Sequence, residues 1–103
     1  MSRGPDAATL LARAVEDDAW RAGCLARVAD SHWTRWASAT FSGARHRMRV
    51  EAQDAAGLDR WLAGLADATM EMRGHLLADL TVREISRSGG MATIDLEALS
   101  VEA

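Results

Sequence analysis

Residues 45–52 read Arg45, His46, Arg47, Met48, Arg49, Val50, Glu51, Ala52, and charge alternates with a less polar residue at nearly every step. A period of two does not fit a helix, whose same-face neighbours recur every three or four residues. It specifies a strand with one face in water and the other against a core. Met91, Ala92, Thr93, Ile94, Asp95, Leu96, Glu97 and Ala98 alternate in the same way. Two half-wet strands need a second layer over their apolar faces, so the remaining sequence has to supply one.

Helices are its natural source. Ala8, Leu11, Ala12, Val15 and Ala19 recur at helical spacing, with Arg13, Glu16, Asp17 and Arg21 on the opposite side. Asp6 is placed to cap this helix, and Gly23 to end it, so the helix is expected over 7–22. Leu58, Trp61, Leu62 and Leu65 form a second stripe, expected to start at an Asp54 cap and end near Thr69. Trp33, Thr34, Trp36, Thr40 and Phe41 favour extended structure, which predicts a strand over 33–41. Ser42-Gly43 reads as the turn that joins it to 45–52 in a hairpin. Residues 24–32 fit either a helical extension or the start of that strand. A third strand is expected over 76–85, with Glu71 as an alternative start. Ser88-Gly89-Gly90 reads as a turn, and 99–103 as a tail.

A shift of 46 residues superposes Ser42-Gly43 on Ser88-Gly89, Val15 on Trp61, Met48 on Ile94 and Val50 on Leu96. The chain therefore reads as two tandem αββ units, with halves 6–52 and 54–101 inside one domain spanning 1–103. Each unit alone would leave a helix face and a sheet face bare, so the two should share a core. The expected class is α+β, with a four-stranded sheet and two helices on one face. In its order of elements this resembles a permuted ferredoxin-like two-layer sandwich, in which the strands lie in the order three, four, two, one. The resemblance implies a fold and no activity.

Composition narrows the function classes. Twelve Lys+Arg against 15 Asp+Glu give a net charge of −3, which lacks the electrostatic footprint of a nucleic-acid binder. No apolar run reaches the roughly 20 residues of a membrane span, and residues 1–6 lack the profile of a secretory signal. Cys24 is the only cysteine, which rules out an intrachain disulfide and a multi-cysteine zinc site. Together these features predict a cytoplasmic protein.

Candidate chemical groups are sparse. His32, His46 and His75 have no metal-ligand spacing, so no metal or other cofactor is expected. His46 shares parity with Met48 and Val50 and should face the helices or the edge of the core. Cys24 reads as a small buried hydrophobe, and Ser38, Ser42 and Ser86 lack the context of a nucleophile. No catalytic residue is assigned. Arg45, Arg47 and Arg49 project from one strand face, and Asp95 and Glu97 from the equivalent face of its expected neighbour. This reads as a solvated charge ladder, with an anion-binding or acidic-partner surface as the alternative.

Trp36 and Trp61 read as core, and Trp20 as a helix margin. Trp33 and Phe41 share the opposite parity with Arg35, which would put an aromatic row on the bare sheet face; the alternatives are a bulge that returns Trp33 to the core and scattered surface aromatics of no consequence. The candidate interaction residues are therefore Trp33, Arg35, Phe41, Arg45, Arg47 and Arg49. They suggest a small non-catalytic protein-interaction domain, homodimeric or bound to another protein. The alternative is a small-molecule binding protein or small enzyme. Its pocket would lie at the sheet–helix or dimer interface, lined by Met48, Met70, Met72 and Met91, with His32, His46 or Arg35 as polar groups.

Overall fold

The computed structural model describes residues 6–103. Its elements run α1 (Ala7–Arg21), β1 (Ala26–Ala37), β2 (Ser42–Gln53), α2 (Ala56–Leu65), β3 (His75–Ser88) and β4 (Met91–Glu102). The four strands form an antiparallel sheet in the order β1-β2-β4-β3. The class is α+β, and the alternating strands 45–52 and 91–98 are its two central members.

The buried cluster joins both halves of the chain. Leu11, Val15 and Ala19 of α1 and Leu58, Trp61 and Leu65 of α2 pack with Met48, Val50 and Ala52 of β2 and Ala92, Ile94, Leu96 and Ala98 of β4. Both helices therefore cover the same sheet face, and among the described residues no element covers the opposite one.

Local chemistry fixes each helix end. The Asp6 carboxylate accepts from the Thr9 amide at 2.8 Å, capping α1. Gly23, with φ of 83°, supplies the left-handed residue that ends it. A Cβ on Gly57 would run into the carbonyl of Gly23, so the start of α2 closes against the end of α1. The Trp61 indole N–H donates to Asp18 at 3.0 Å, and Arg60 donates to the Ala22 carbonyl at 3.1 Å, which ties the helices together.

Residues 24–32 fit either a helical extension or a strand, and from Ala26 onward they are strand. Other boundaries differ from expectation. The first hairpin turns at residues 38–41, because the Ser38 hydroxyl accepts from the Phe41 amide at 3.1 Å while the Ser38 amide donates to the Phe41 carbonyl at 2.7 Å. Gly43 serves another purpose: it lies inside β2, where a Cβ would collide with the Ser100 backbone of β4. Asp54 does not cap α2. It accepts instead from Arg87 at 2.7 Å, and α2 stops at Leu65 as the chain turns through Ala66 and Asp67. Residues 99–102 are no tail, since they continue the alternation of β4.

Gly89 and Gly90, with φ of 61° and 81°, make the second hairpin turn, as the two-residue loop between β3 and β4 requires.

Candidate functional site

The uncovered sheet face is built of cross-strand rows that the register defines. The first row, at one end, is Trp36, Gly43, Val101 and Leu76, one residue from each strand in spatial order. The second is Thr34, Arg45, Leu99 and Asp79, and the third His32, Arg47, Glu97 and Thr81. The fourth is Asp30, Arg49, Asp95 and Glu84, followed by Arg27, Glu51, Thr93 and Ser86. One end is thus apolar, with Leu76 61% exposed and Trp36, Leu99 and Val101 half-buried. The middle carries a basic column on β2 beside an acidic column on β4.

The charges partly satisfy one another. Arg47 bonds Asp95 at 2.9 Å, Arg83 bonds Glu97 at 3.2 Å, and Arg27 pairs with Glu51 at 2.6 Å. His32 lies 3.2 Å from Asp30. Among the described residues, Arg45 and Arg49 have no carboxylate within 4.0 Å. Of the ladder expected between Arg45, Arg47, Arg49 and the β4 carboxylates, one rung is formed, Arg47 to Asp95, while Glu97 is taken by Arg83 of β3.

The aromatic residues are placed differently. Trp33 pairs with His46 and so lies on the helix side of the sheet, 50% exposed, beside Thr9, Ala12 and Arg13 of α1 in a groove of about 470 Å³. Arg35 pairs with Ala44 on the same side, and Phe41 sits exposed in the hairpin turn. The aromatic that reaches the bare face is Trp36, against the expectation that it joins the core. The cause is the turn: closure at Ser38–Phe41 pairs Ala37 with Ser42 and so sets even positions of β1 against odd positions of β2. An extra residue at Ala29 then reverses parity for the first residues of β1. The Val28 amide beside this bulge donates to Glu16 of α1 at 2.9 Å.

On the helix side, His46 and Ser100 are 0% and 1% exposed, and their Nε2 and Oγ atoms lie 2.8 Å apart. Burial pushes the His46 imidazole below its ordinary pKa, His75 pushes the same way, and Asp6 opposes them. A serine beside a histidine is the minimal arrangement of nucleophile and base. This pair is sealed from any substrate, and His46 Nδ1 has no partner to orient it. It serves as a polar contact across the two central strands. Reading 99–103 as a tail hides Ser100 from sequence reasoning.

The methionines do not converge on one site. Met48 is in the core, Met70 and Met72 border a groove of about 700 Å³ with His75, Leu76 and Leu77, and Met91 is exposed at the other end of the sheet. Burial raises the pKa of the Cys24 thiol. Among the described residues, no group of three or more His, Cys, Asp and Glu side chains is placed to hold a metal ion. Among the same residues, no helix is long and apolar enough to cross a membrane.

No known protein family and no curated protein matches the chain. Among solved structures, it is similar to a chain from the virion of a native gene transfer agent particle. The match covers 100% of this chain and 75% of that one, at 20% identity and a TM-score of 0.48.

Proposed function

We propose that this chain is a non-catalytic interaction domain that works by protein contact, with the bare sheet face as its contact surface and self-association as its first expression. The observation that carries this reading is the row Trp36, Gly43, Val101 and Leu76, an apolar strip at the end of a charged face that no other element among the described residues covers. Tryptophan set among arginines is enriched at protein interfaces. The candidate set is accordingly revised: Trp36, Leu76, Arg45, Arg47 and Arg49 share the face, and Trp33, Arg35 and Phe41 lie off it. A reduced, buried Cys24 fits a cytoplasmic setting. The finer likeness to a permuted ferredoxin-like sandwich agrees with the order β1-β2-β4-β3.

Sedimentation equilibrium at tens of micromolar, together with affinity capture from cell extract, tests the reading. Self-association or a captured partner that Trp36→Asp weakens at least tenfold is the expected result. A monomer that captures nothing, or association indifferent to Trp36→Asp, would sink it.

The groove bordered by Met70, Met72 and His75 favours a second reading, a small apolar ligand held by adaptable methionine side chains. Such a ligand would raise the unfolding temperature, and Met70→Ala would lower the shift.

A further inference from the structure

The charge pattern of the bare face is complementary to itself about one particular axis. Because the strands lie in the order β1-β2-β4-β3, the sheet midline runs between the basic column of β2 and the acidic column of β4. A two-fold axis parallel to the strands and above that midline exchanges β2 with β4 and β1 with β3, and keeps every row level. We propose that two copies of this chain pack face to face about this axis, each placing its β2 arginines over the β4 carboxylates of the other. The proposal rests on the reading above that this face makes protein contacts, and adds the partner and the geometry.

Most positions then meet a suitable counterpart. Arg47 lies over Glu97 of the second copy and Arg49 over Asp95, each contact occurring twice. Arg45, which has no carboxylate of its own in reach, lies over Leu99, where its stem can pack while its head reaches the rim. In the apolar row, Trp36 lies over Leu76 of the second copy and Gly43 over Val101. The missing side chain at Gly43 leaves room there for Val101. One meeting is unfavourable, Asp30 over Glu84, and it falls on the two edge strands where water screens it.

The competing face-to-face arrangement has its axis across the strands. It would set β2 over β2 and β4 over β4, with Arg47 facing Arg47 and carboxylates facing carboxylates. Like charges set against each other across an interface strongly disfavour it. The available area is also sufficient. Four strands spaced by about 4.8 Å, over the eleven paired positions Gly43–Gln53 at about 3.3 Å each, offer about 700 Å² per copy. That is close to the roughly 800 Å² per partner of a standard interface. Since its centre is charged, association should weaken with salt.

Complementary charge reversal tests the arrangement. Arg49→Glu and Asp95→Arg, purified separately and checked for wild-type circular dichroism, should each self-associate at least tenfold more weakly than wild type. Mixed in equal amounts they should recover an affinity within about threefold of wild type. In the mixed dimer the two introduced charges oppose each other at one contact, and the native Arg49 lies over the native Asp95 at the other. Repair within one chain cannot explain rescue by mixing. Leu76→Glu, at an exposed position that leaves the core intact, should weaken association at least tenfold and supplies the readout if a reversal variant misfolds. A wild-type dimer unaffected by Leu76→Glu and by the reversals, or reversals that stay apart when mixed, would overturn this geometry and leave self-association through another surface standing. A wild-type monomer at 100 µM would overturn the second copy as partner, and affinity capture would then decide the broader reading separately.

Discussion

The central strands and the edge strands of this sheet keep their register by different means. β2 and β4 pair through eleven successive positions without a shift, each held by a neighbour on both sides and by the helix layer on one face. Register shifts fall on β1, between Val28 and Asp30, and on β3, between Leu77 and Asp79 and between Val82 and Glu84. An edge strand has one neighbour, so an extra residue can bulge outward without breaking a second ladder. The bulges twist the edges and leave them less suited to templating further strands. The bare face, by contrast, has its charges and apolar groups in unbroken order on β2 and β4, and this is the surface to which we assign contact.

Truncation in the core should separate the two kinds of strand most sharply. Leu96→Ala, at a fully buried position of β4, should cost about 2–5 kcal/mol in urea unfolding. Ile85→Ala on β3, where the side chain is 41% exposed, should cost less than about 1.5 kcal/mol. Equal losses would break the distinction between centre and edge.

Backbone approach is the next test. Gly43→Ala forces a methyl group against the Ser100 carbonyl between the central strands and should cost about 1–3 kcal/mol. At Gly64, where nothing lies in the path of a Cβ, the same change should be neutral or raise stability by up to about 1 kcal/mol.

The buried His46 gives the centre a pH signature. Its folded pKa lies below the unfolded value of 6.5, so as pH falls below 6.5 the unfolded chain takes up a proton that the folded chain refuses. Stability should be level above that range. It should decline as pH falls towards the folded pKa, at no more than about 1.4 kcal/mol per pH unit. His46→Leu should remove this slope between pH 6.5 and the carboxylate range. An unchanged slope would assign the titration elsewhere.

At the edge, Glu16→Ala deprives the Val28 amide of its acceptor beside the bulge and should cost about 1 kcal/mol. The exposed Arg27–Glu51 pair should matter least, with Arg27→Ala changing stability by under about 1 kcal/mol.

This contrast also explains what could be read in advance. Strict alternation at 45–52 and 91–98 is written by burial on one face, and burial is symmetric for a strand with two neighbours. Those strands, both helix stripes, the buried His46 and the facing basic and acidic columns were therefore legible, though only Arg47 closes a rung between the columns. The face of Trp33 and Trp36 was not, because it depends on where the hairpin closes. Ser38, a polar side chain that completes the turn, competes there with a Ser42-Gly43 pair that looks more like a turn. Gly43 is required by the close approach of Ser100, a contact between positions far apart in sequence. Asp54 had the identity of a helix cap and was drawn away by Arg87, which sits on β3 and cannot be foreseen locally. The apolar row was hidden for the same reason, since each of its four residues comes from a different strand.

The most direct measurement of the contact surface is an isotope-filtered nuclear Overhauser experiment on a dimer of one labelled and one unlabelled copy. Within one chain Trp36 and Leu76 lie on opposite edges of the sheet, three strand spacings or about 14 Å apart, beyond the reach of such an effect. A cross-peak between the Trp36 indole of one copy and the Leu76 methyl groups of the other is expected. A sample that sediments as a dimer and shows intermolecular contacts elsewhere, with none between these two residues, would contradict the face-to-face arrangement.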